Sequence, residues 1–418
     1  ISRIYGCNQS DDKLISKVSA SASGINFKNT LIEDEEFNVL NYPYFYNGGG
    51  VAVGDINNDG LTDVFFTGNM VKNRLYLNKG NFEFEDITEK SSVADNQGWC
   101  TGATMADVNA DGWLDIYVCR SADADPLKRK NLLFINNHDN TFTEQAEKYG
   151  IGDNGYSTHA AFFDYDKDND LDLVVINHSL KQYMTGLLDR PGIRLQTKPE
   201  FSTHLYRNDN IWYTNVTDSA GITSNVLSFG LGVAVSDLNN DGWPDLYISN
   251  DFNEADYCFI NQKNGTFKEM SREMFSYTSL FSMGNDAADI NNDGWADIIT
   301  LDMLPEGNYL QKMHNGSENF DKFQLLFNNG FFRQYSRNML QLNRGDGTFD
   351  EVGQYMGVSN TDWSWAPLAA DFDDDGNKDI FISNGYVKDY TDMDYIKYNV
   401  DMILEKDPVK QQEMMRSR

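Results

Sequence analysis

At 418 residues the chain is too long for one small domain and fits two or three ordinary domains or one large repeat-built one. Its 34 basic residues against 64 acidic ones leave a formal charge of −30, so a phosphate backbone would repel it and generic nucleic-acid binding is nearly excluded. Hydrophobic residues at 40% and aromatics at 13% can bury a core, which argues against a disordered acidic chain, and no run approaches the roughly 18 apolar residues of a membrane-spanning helix.

Residues 1–23 read as an N-terminal tether. Cys7 follows Ile4, Tyr5 and Gly6 and precedes a polar run, the arrangement that ends a bacterial lipoprotein signal, where the cysteine is lipidated after cleavage. Such an anchor would hold an otherwise soluble body at a membrane. The plainer reading is a cysteine in an ordinary terminus. Cys100, Cys119 and Cys258 show no CxxC spacing and could be free thiols or supply one bridge.

From residue 55 one nine-residue pattern, Asp-x-(Asp/Asn)-x-Asp-(Gly/Asn)-x-x-Asp, occurs six times, at 55–63, 107–115, 164–172, 237–245, 289–297 and 371–379. Position one is Asp55, Asp107, Asp164, Asp237, Asp289 and Asp371, and position five is Asp59, Asp111, Asp168, Asp241, Asp293 and Asp375. Position nine is Asp63, Asp115, Asp172, Asp245, Asp297 and Asp379. Position three is Asn57, Asn109, Asp166, Asn239, Asn291 and Asp373, each with an oxygen to offer. A hard cation such as calcium wants six to eight oxygens, and alternate side chains of a tight loop converge on one point. Position seven would add a backbone carbonyl, from Leu61, Trp113, Asp170, Trp243, Trp295 and Asn377. Position six must turn sharply and is Gly60, Gly112, Gly242, Gly294 and Gly376, with Asn169 the exception that best tolerates a left-handed backbone. About six calcium sites are expected, and magnesium fits less well because it keeps its waters.

An EF-hand would end in a bidentate Glu at position twelve. That position is Phe66, Val118, Val175, Ile248, Thr300 and Ile382, and the flanks are short β-type runs, so each loop joins two strands of a hairpin. A second pattern, roughly Asn-x-Leu-x-x-Asn, a turn and Phe, comes after each of the first five loops. It reads Asn73, Leu75, Asn78 and Phe82; then Asn131, Leu133, Asn136 and Phe142; Leu205 and Asn208 in a degraded copy; Tyr257, Phe259, Asn261 and Phe267; and Asn338, Leu340, Asn343 and Phe349. Two hairpins per unit make four strands, the composition of a propeller blade. The expected fold is therefore all-β, a β-propeller of six or seven four-stranded blades over residues 24–390, with calcium loops in the inner hairpins and short helical insertions. Residues 391–418 read as a helical tail, and either residues 24–46 close the ring or the natural chain continues past Arg418.

The span from loop to outer hairpin is short in unit one (63–73) but long in units three (172–204) and five (297–338). Insertions at the same point of each unit emerge on the same face, the expected binding surface. The aromatic insertion of unit five offers Tyr309, Phe320, Phe331, Phe332 and Arg333 as ligand-binding candidates, weighed against a packing role that is favoured. Trp113, Trp243 and Trp295 read as packing residues. No GxSxG, HExxH, Walker or GxGxxG motif is present and no catalytic residue is assigned, although His178, His204 and His314 with Arg190, Arg194 and Arg333 lie in or beside the insertions.

On the six Asp loops and the Asn-Leu-Asn strands the chain resembles the FG-GAP or VCBS repeat β-propellers, the class that includes the integrin α-subunit head. Within that class it is similar to the cartilage-acidic-protein-like surface lipoproteins of Bacteroidota. The resemblance implies a calcium-stabilised extracellular binding or scaffold module, held by its lipid on the outer face of the outer membrane or else secreted. Its protein or glycan ligand would sit on the loop-bearing face, as an accessory to a nutrient (glycan or peptide) uptake complex at an outer-membrane transporter. The alternatives are an adhesin and a polysaccharide-lyase-like enzyme.

Overall fold

The computed structural model describes residues 16–35, 37–39, 41–95, 97–180, 192–314, 320–385, 392–394 and 397–398. Cys7, Arg190 and nearly all of the 391–418 tail lie outside those residues. Five antiparallel four-stranded sheets succeed one another along the chain. The first is β1 (Val51–Gly54), β2 (Asp63–Phe66), β3 (Arg74–Asn78) and β4 (Phe84–Asp86). The second is β5 (Trp99–Ala106), β6 (Asp115–Ser121), β7 (Leu132–Asn136) and β8 (Phe142–Glu144). The third is β9 (Ser157–Phe163), β10 (Asp172–Asn177), β11 (His204–Asn208) and β12 (Tyr213–Asn215). The fourth is β13 (Gly230–Ser236), β14 (Asp245–Asn250), β15 (Tyr257–Asn261) and β16 (Phe267–Glu269). A parallel pair, β17 (Thr278–Ser279) and β20 (Gln334–Tyr335), frames the fifth sheet of β18 (Asn285–Ala288), β19 (Asp297–Thr300), β21 (Met339–Asn343) and β22 (Phe349–Glu351). The sixth unit is a two-stranded sheet, β23 (Ser364–Ala370) with β24 (Asp379–Asn384). The described residues thus hold five complete blades and one inner hairpin.

The second strand of the second to fifth blades, β6, β10, β14 and β19, is buried on both faces, which is why it reads as an unbroken apolar run, whereas in β2 buried Asp63 and Phe65 alternate with half-buried Val64 and Phe66. In β6 the alternation survives as a choice of neighbour. Ile116 and Val118 pack with Phe65 and Leu75 of the first sheet, whereas Tyr117 and Cys119 pack with Leu173 and Val175 of the third. Leu246 and Ile248 of β14 repeat this against Val174 and Ile176, and Tyr247 packs the other way onto Ile298. The second to fifth sheets are therefore each packed between two neighbours, and burial of these strands supplies the main stabilisation, about 25 cal/mol per Å² of apolar surface. The innermost strands crowd together, so the residue just before β1 and before β18 is glycine. A Cβ on Gly50 would lie 2.7 Å from the Thr101 carbonyl, and one on Gly284 would lie 2.5 Å from the Trp365 carbonyl.

Among the described residues of 24–46 there is no strand. Instead Phe27 stacks on Phe66 of the first sheet with centroids 5.1 Å apart, and Tyr42, Tyr44 and Phe45 pack with Trp99 and Phe229 as an aromatic plug over several strand ends. The described residues of the unit-five insertion form two helices, α1 (Asn308–His314) and α2 (Phe320–Asn328), as the expectation of helical insertions requires. Cys100, Cys119 and Cys258 are buried free thiols, which removes the single-bridge alternative among them.

Candidate metal centre

All six Asp loops connect the first and second strands of a unit, so they gather at one end of the sheets. Each is pinned by an apolar residue at position two, such as Ile56, Val108, Tyr165 and Leu238, which are buried. The fourth loop shows the shared geometry. Asp237 Oδ1 accepts from the Asp241 N–H at 3.0 Å and its Oδ2 from the Gly242 N–H at 2.7 Å. Asn239 Oδ1 accepts from the Asp241 N–H at 3.0 Å, and Asp241 Oδ1 from the Trp243 N–H at 2.9 Å. Position six is left-handed throughout, from φ 84° at Gly242 to 90° at Gly376, and Asn169 adopts 73° as its place in the pattern predicts.

Position nine serves a second purpose. Asp245 Oδ2 accepts from the Leu238 N–H at 3.0 Å, and Oδ1 from the Asn261 N–H at 2.8 Å. The same pair of bonds recurs at Asp63, Asp115, Asp172 and Asp297, which ties each loop to the second Asn of the outer-hairpin pattern. That Asn then bridges neighbouring units. Asn136 Nδ2 donates to the Ile56 carbonyl of the preceding loop at 2.8 Å, and Asn343 Nδ2 to the Leu238 carbonyl at 2.8 Å. The first Asn of the pattern works at the other end of the sheet, where Asn73, Asn131 and Asn338 accept from the N–H of Gly68, Arg120 and Asp302.

Burial pushes the carboxyls of Asp63, Asp115, Asp172, Asp245 and Asp297 up, to about 7 at Asp115 and Asp245 and about 8 at Asp172, with neighbouring loop carboxylates adding to the rise. A buried carboxylate in this state prefers a proton or a cation to solvent-like ionisation. In the third loop, oxygens of Asp164, Asp166 and Asp172 lie within 4.8 Å of one another, as do those of Asp371, Asp373 and Asp379 in the sixth. Asp166 Oδ1 and Asp170 Oδ1 are buried without a hydrogen-bond partner. Converging hard oxygens with orphaned lone pairs fit a calcium-type ion held by positions one, three, five and nine and the position-seven carbonyl.

Two features of this end escaped the sequence pattern. Position four is also left-handed, at Asn58, Ala110, Lys167, Asn240, Asn292 and Asp374 with φ from 52° to 61°; the Asn/Asp bias at four of the six was the available signal. Side chains there also link consecutive loops, with Asn58, Asn240 and Asn292 Nδ2 donating to the carbonyls of Gly112, Gly294 and Gly376 at 2.9–3.0 Å. Two of the tryptophans at position seven pack against side chains of neighbouring turns: Trp113 stacks on His138 at 4.8 Å, and Lys167 Nζ lies 5.0 Å from the Trp243 ring.

The insertions leave the opposite end of the sheets. They meet each other, with Ile193, Val226, Leu227 and Phe331 forming one cluster. Arg194 donates to both Glu254 carboxylate oxygens, at 2.9 and 2.6 Å, and to the Gly330 carbonyl at 2.8 Å. Phe331 is only 3% exposed and so leaves the set of ligand-binding candidates, because the Arg194 guanidinium and its apolar neighbours already cover it. Phe332 lies under Arg272, and Arg333 stacks over Phe327 at 5.0 Å. Tyr309 and Phe320 stand out at 73% and 71% exposure. His178 is buried, its Nε2 2.7 Å from Ser121 Oγ, and His204 Nδ1 lies 2.5 Å from Asp153, so both are absorbed into packing. Among the described residues no helix is long and apolar enough to cross a membrane.

Residues 43–118, 122–175, 237–300 and 326–382 match the model of the FG-GAP-like repeat. Cartilage acidic protein 1 of Mus musculus is 23% identical over 380 residues, covering 80% of this chain and 57% of the relative. The Xenopus tropicalis protein of the same name is 29% identical over 206 residues, 49% of this chain and 29% of the relative. Integrin alpha-6 of Gallus gallus is 38% identical over 82 residues, 17% of this chain and 8% of the relative. The chain therefore spans little more than half the length of the mouse relative. A solved structure of an Agrocybe aegerita lectin that recognises non-reducing terminal N-acetylglucosamine aligns with a TM-score of 0.43 at 16% identity, over 79% of this chain and 73% of that one.

Proposed function

This chain belongs to the FG-GAP-like repeat family, and from that premise we propose that it is an extracellular binding or scaffold module whose loop end is rigidified by calcium. The observation that carries the reading is the division of labour between the two ends of the sheets. One end repeats a single oxygen-rich loop in six units. The other carries two insertions that dock on each other and present Tyr309, Leu310 and Phe320 to solvent. Calcium in the loops would offset much of the −30 charge and stabilise the native state by binding it alone. The insertion end is then the surface for a protein or glycan partner, since loops on a rigid scaffold commonly carry recognition.

The fuller form of the reading is a surface lipoprotein anchored through Cys7 on the outer membrane, accessory to a nutrient-uptake complex. Its support is the Gly-Cys-polar sequence at 6–8 together with the likeness to cartilage acidic protein 1. No catalytic role is proposed. Of the cationic side chains that could bind an acidic sugar, Arg194 is paired with Glu254 and His204 with Asp153. The test is binding of the labelled chain to outer-membrane vesicles from the source cells, with and without Tyr309→Ala plus Phe320→Ala. The reading expects saturable binding that the double variant loses while its melting temperature is unchanged. Equal binding by the double variant removes the insertion surface, and release of sugar fragments from polysaccharide would make the chain an enzyme.

A further inference from the structure

The residue two places beyond the second Asn of the outer hairpin sits in a left-handed turn beside the Asp loop. It is Gly80, His138, Asn210, Lys263 and Gly345 in units one to five, with φ of 84°, 66°, 60°, 61° and 69°. In units one and five it is glycine and brings no side chain. There the position-five Oδ2 is met from inside the loop, by Asn57 Nδ2 on Asp59 at 3.0 Å and Asn291 Nδ2 on Asp293 at 2.9 Å. In units two and four a long nitrogenous side chain arrives from outside. His138 Nε2 lies 3.1 Å from Asp111 Oδ2, and Lys263 Nζ lies 3.2 Å from Asp241 Oδ2.

The third loop is the opposite case. It reads Asp164, Asp166, Asp168, Asp170 and Asp172, with an acid at position seven where the other five loops have Leu61, Trp113, Trp243, Trp295 or Asn377. Its Asp166 and Asp170 each keep a buried oxygen without a hydrogen-bond partner. Loops three and six alone have Asp at position three, and they are the two in which three carboxylates converge.

Building on the reading of these loops as calcium sites, we propose that they form an affinity ladder set by this chain's own side chains. Loop three, reinforced by Asp170, fills first, and Lys263 is a resident competitor that makes loop four one of the last. Ligand charge and site rigidity tune calcium affinity over orders of magnitude. Loop three alone has a carboxylate at all five alternate positions, whereas an ammonium group already neutralises one ligand of loop four. Lys263 is half exposed, so it can swing into water when an ion enters. It therefore weakens the site without closing it, by the modest amount typical of an exposed pair together with its repulsion of the ion. His138 acts likewise on loop two through its hold on Asp111.

The experiment is calcium titration of the full chain by calorimetry, with total bound calcium counted by elemental analysis. Wild type is compared with Lys263→Gly, Lys263→Arg and Asp170→Asn. Glycine suits the left-handed turn, being the residue of units one and five, so Lys263→Gly should fold. Wild type should bind in at least two affinity classes. Lys263→Gly should move one weak site about 5-fold tighter, Lys263→Arg should leave it as in wild type, and Asp170→Asn should loosen the tightest site by about 10-fold. In every variant the total should be unchanged. Equal affinity at all sites, or a Lys263→Gly titration identical to wild type, overturns the ladder while leaving the loops as calcium sites. No bound calcium in any variant overturns the calcium reading itself, and the ladder with it.

Discussion

The two ends of the sheets hold their carboxylates in opposite ways. At the loop end, acids come in registered sets, most of whose oxygens accept backbone N–H groups of the loop or of the facing hairpin, while in loops three and six three carboxylates converge. At the insertion end, Asp251, Asp256 and Asp302 are fully buried, each held by a hydroxyl donor, and their proximity adds to the rise that burial imposes on them. Asp251 accepts from Tyr44 Oη at 3.1 Å, Asp256 from Tyr247 Oη at 2.6 Å, and Asp302 from Ser279 Oγ at 2.5 Å. The first arrangement leaves a shortage of positive charge that an ion can fill. The second is complete with a proton, because a neutral acid in an apolar site needs no counter-ion.

The contrast is broken most severely by Phe45→Ala, which removes a fully buried ring from the aromatic plug at the insertion end. It should cost about 4 kcal/mol in chemical denaturation, and equally with calcium or with chelator. An effect that vanished in chelator would place the plug under the control of the loops. Next comes Asp245→Ala at the loop end, which strands the buried N–H groups of Leu238 and Asn261. About 3 kcal/mol should be lost, more in calcium than in chelator, with one fewer ion bound.

A smaller effect separates the ends by pH. Burial raises Asp302 to about 6 and Asp256 to about 7, and pushes Asp251 up as well, whereas the unfolded chain gives up these protons near the ordinary value of about 4. The folded state therefore binds more protons across that window. Its stabilisation from these groups is complete below about 4 and is lost as pH rises through 6 to 7. In saturating calcium the chain should melt lower at pH 8 than at pH 6, and Asp302→Asn should reduce that difference. A dependence unchanged by Asp302→Asn would assign it elsewhere. The smallest expected effect is that of Tyr309→Ala, within about 0.5 kcal/mol of wild type, since its ring is exposed on α1.

Legibility in the sequence divides along the same line. The loop end is built from contacts between residues a few places apart, so spacing alone carried the ligand positions, the left-handed turn at Asn169 and the pairing of loops with strands. The Asn-x-Leu-x-x-Asn pattern marked the outer hairpins, because each Asn has one fixed job at a strand end. The insertion end depends on contacts across long separations. Tyr44 meets Asp251, 207 positions away, and Arg194 reaches Gly330, 136 positions away, and neither distance has a signature in composition or period. For the same reason Phe331 read as a candidate platform when it is a buried anchor. Lys263 and His138 lay hidden within a recognised turn, because only the folded hairpin brings them onto the neighbouring loop.

Calcium rigidification of the loop end is tested most directly by thermal unfolding of the purified chain with and without a calcium chelator, with bound metal counted by elemental analysis. About six calcium ions per chain are predicted, one for each loop that reads Asp at positions one, five and nine, together with a melting transition that falls steeply on chelation. A metal-free protein that melts at the same temperature in both conditions would contradict it.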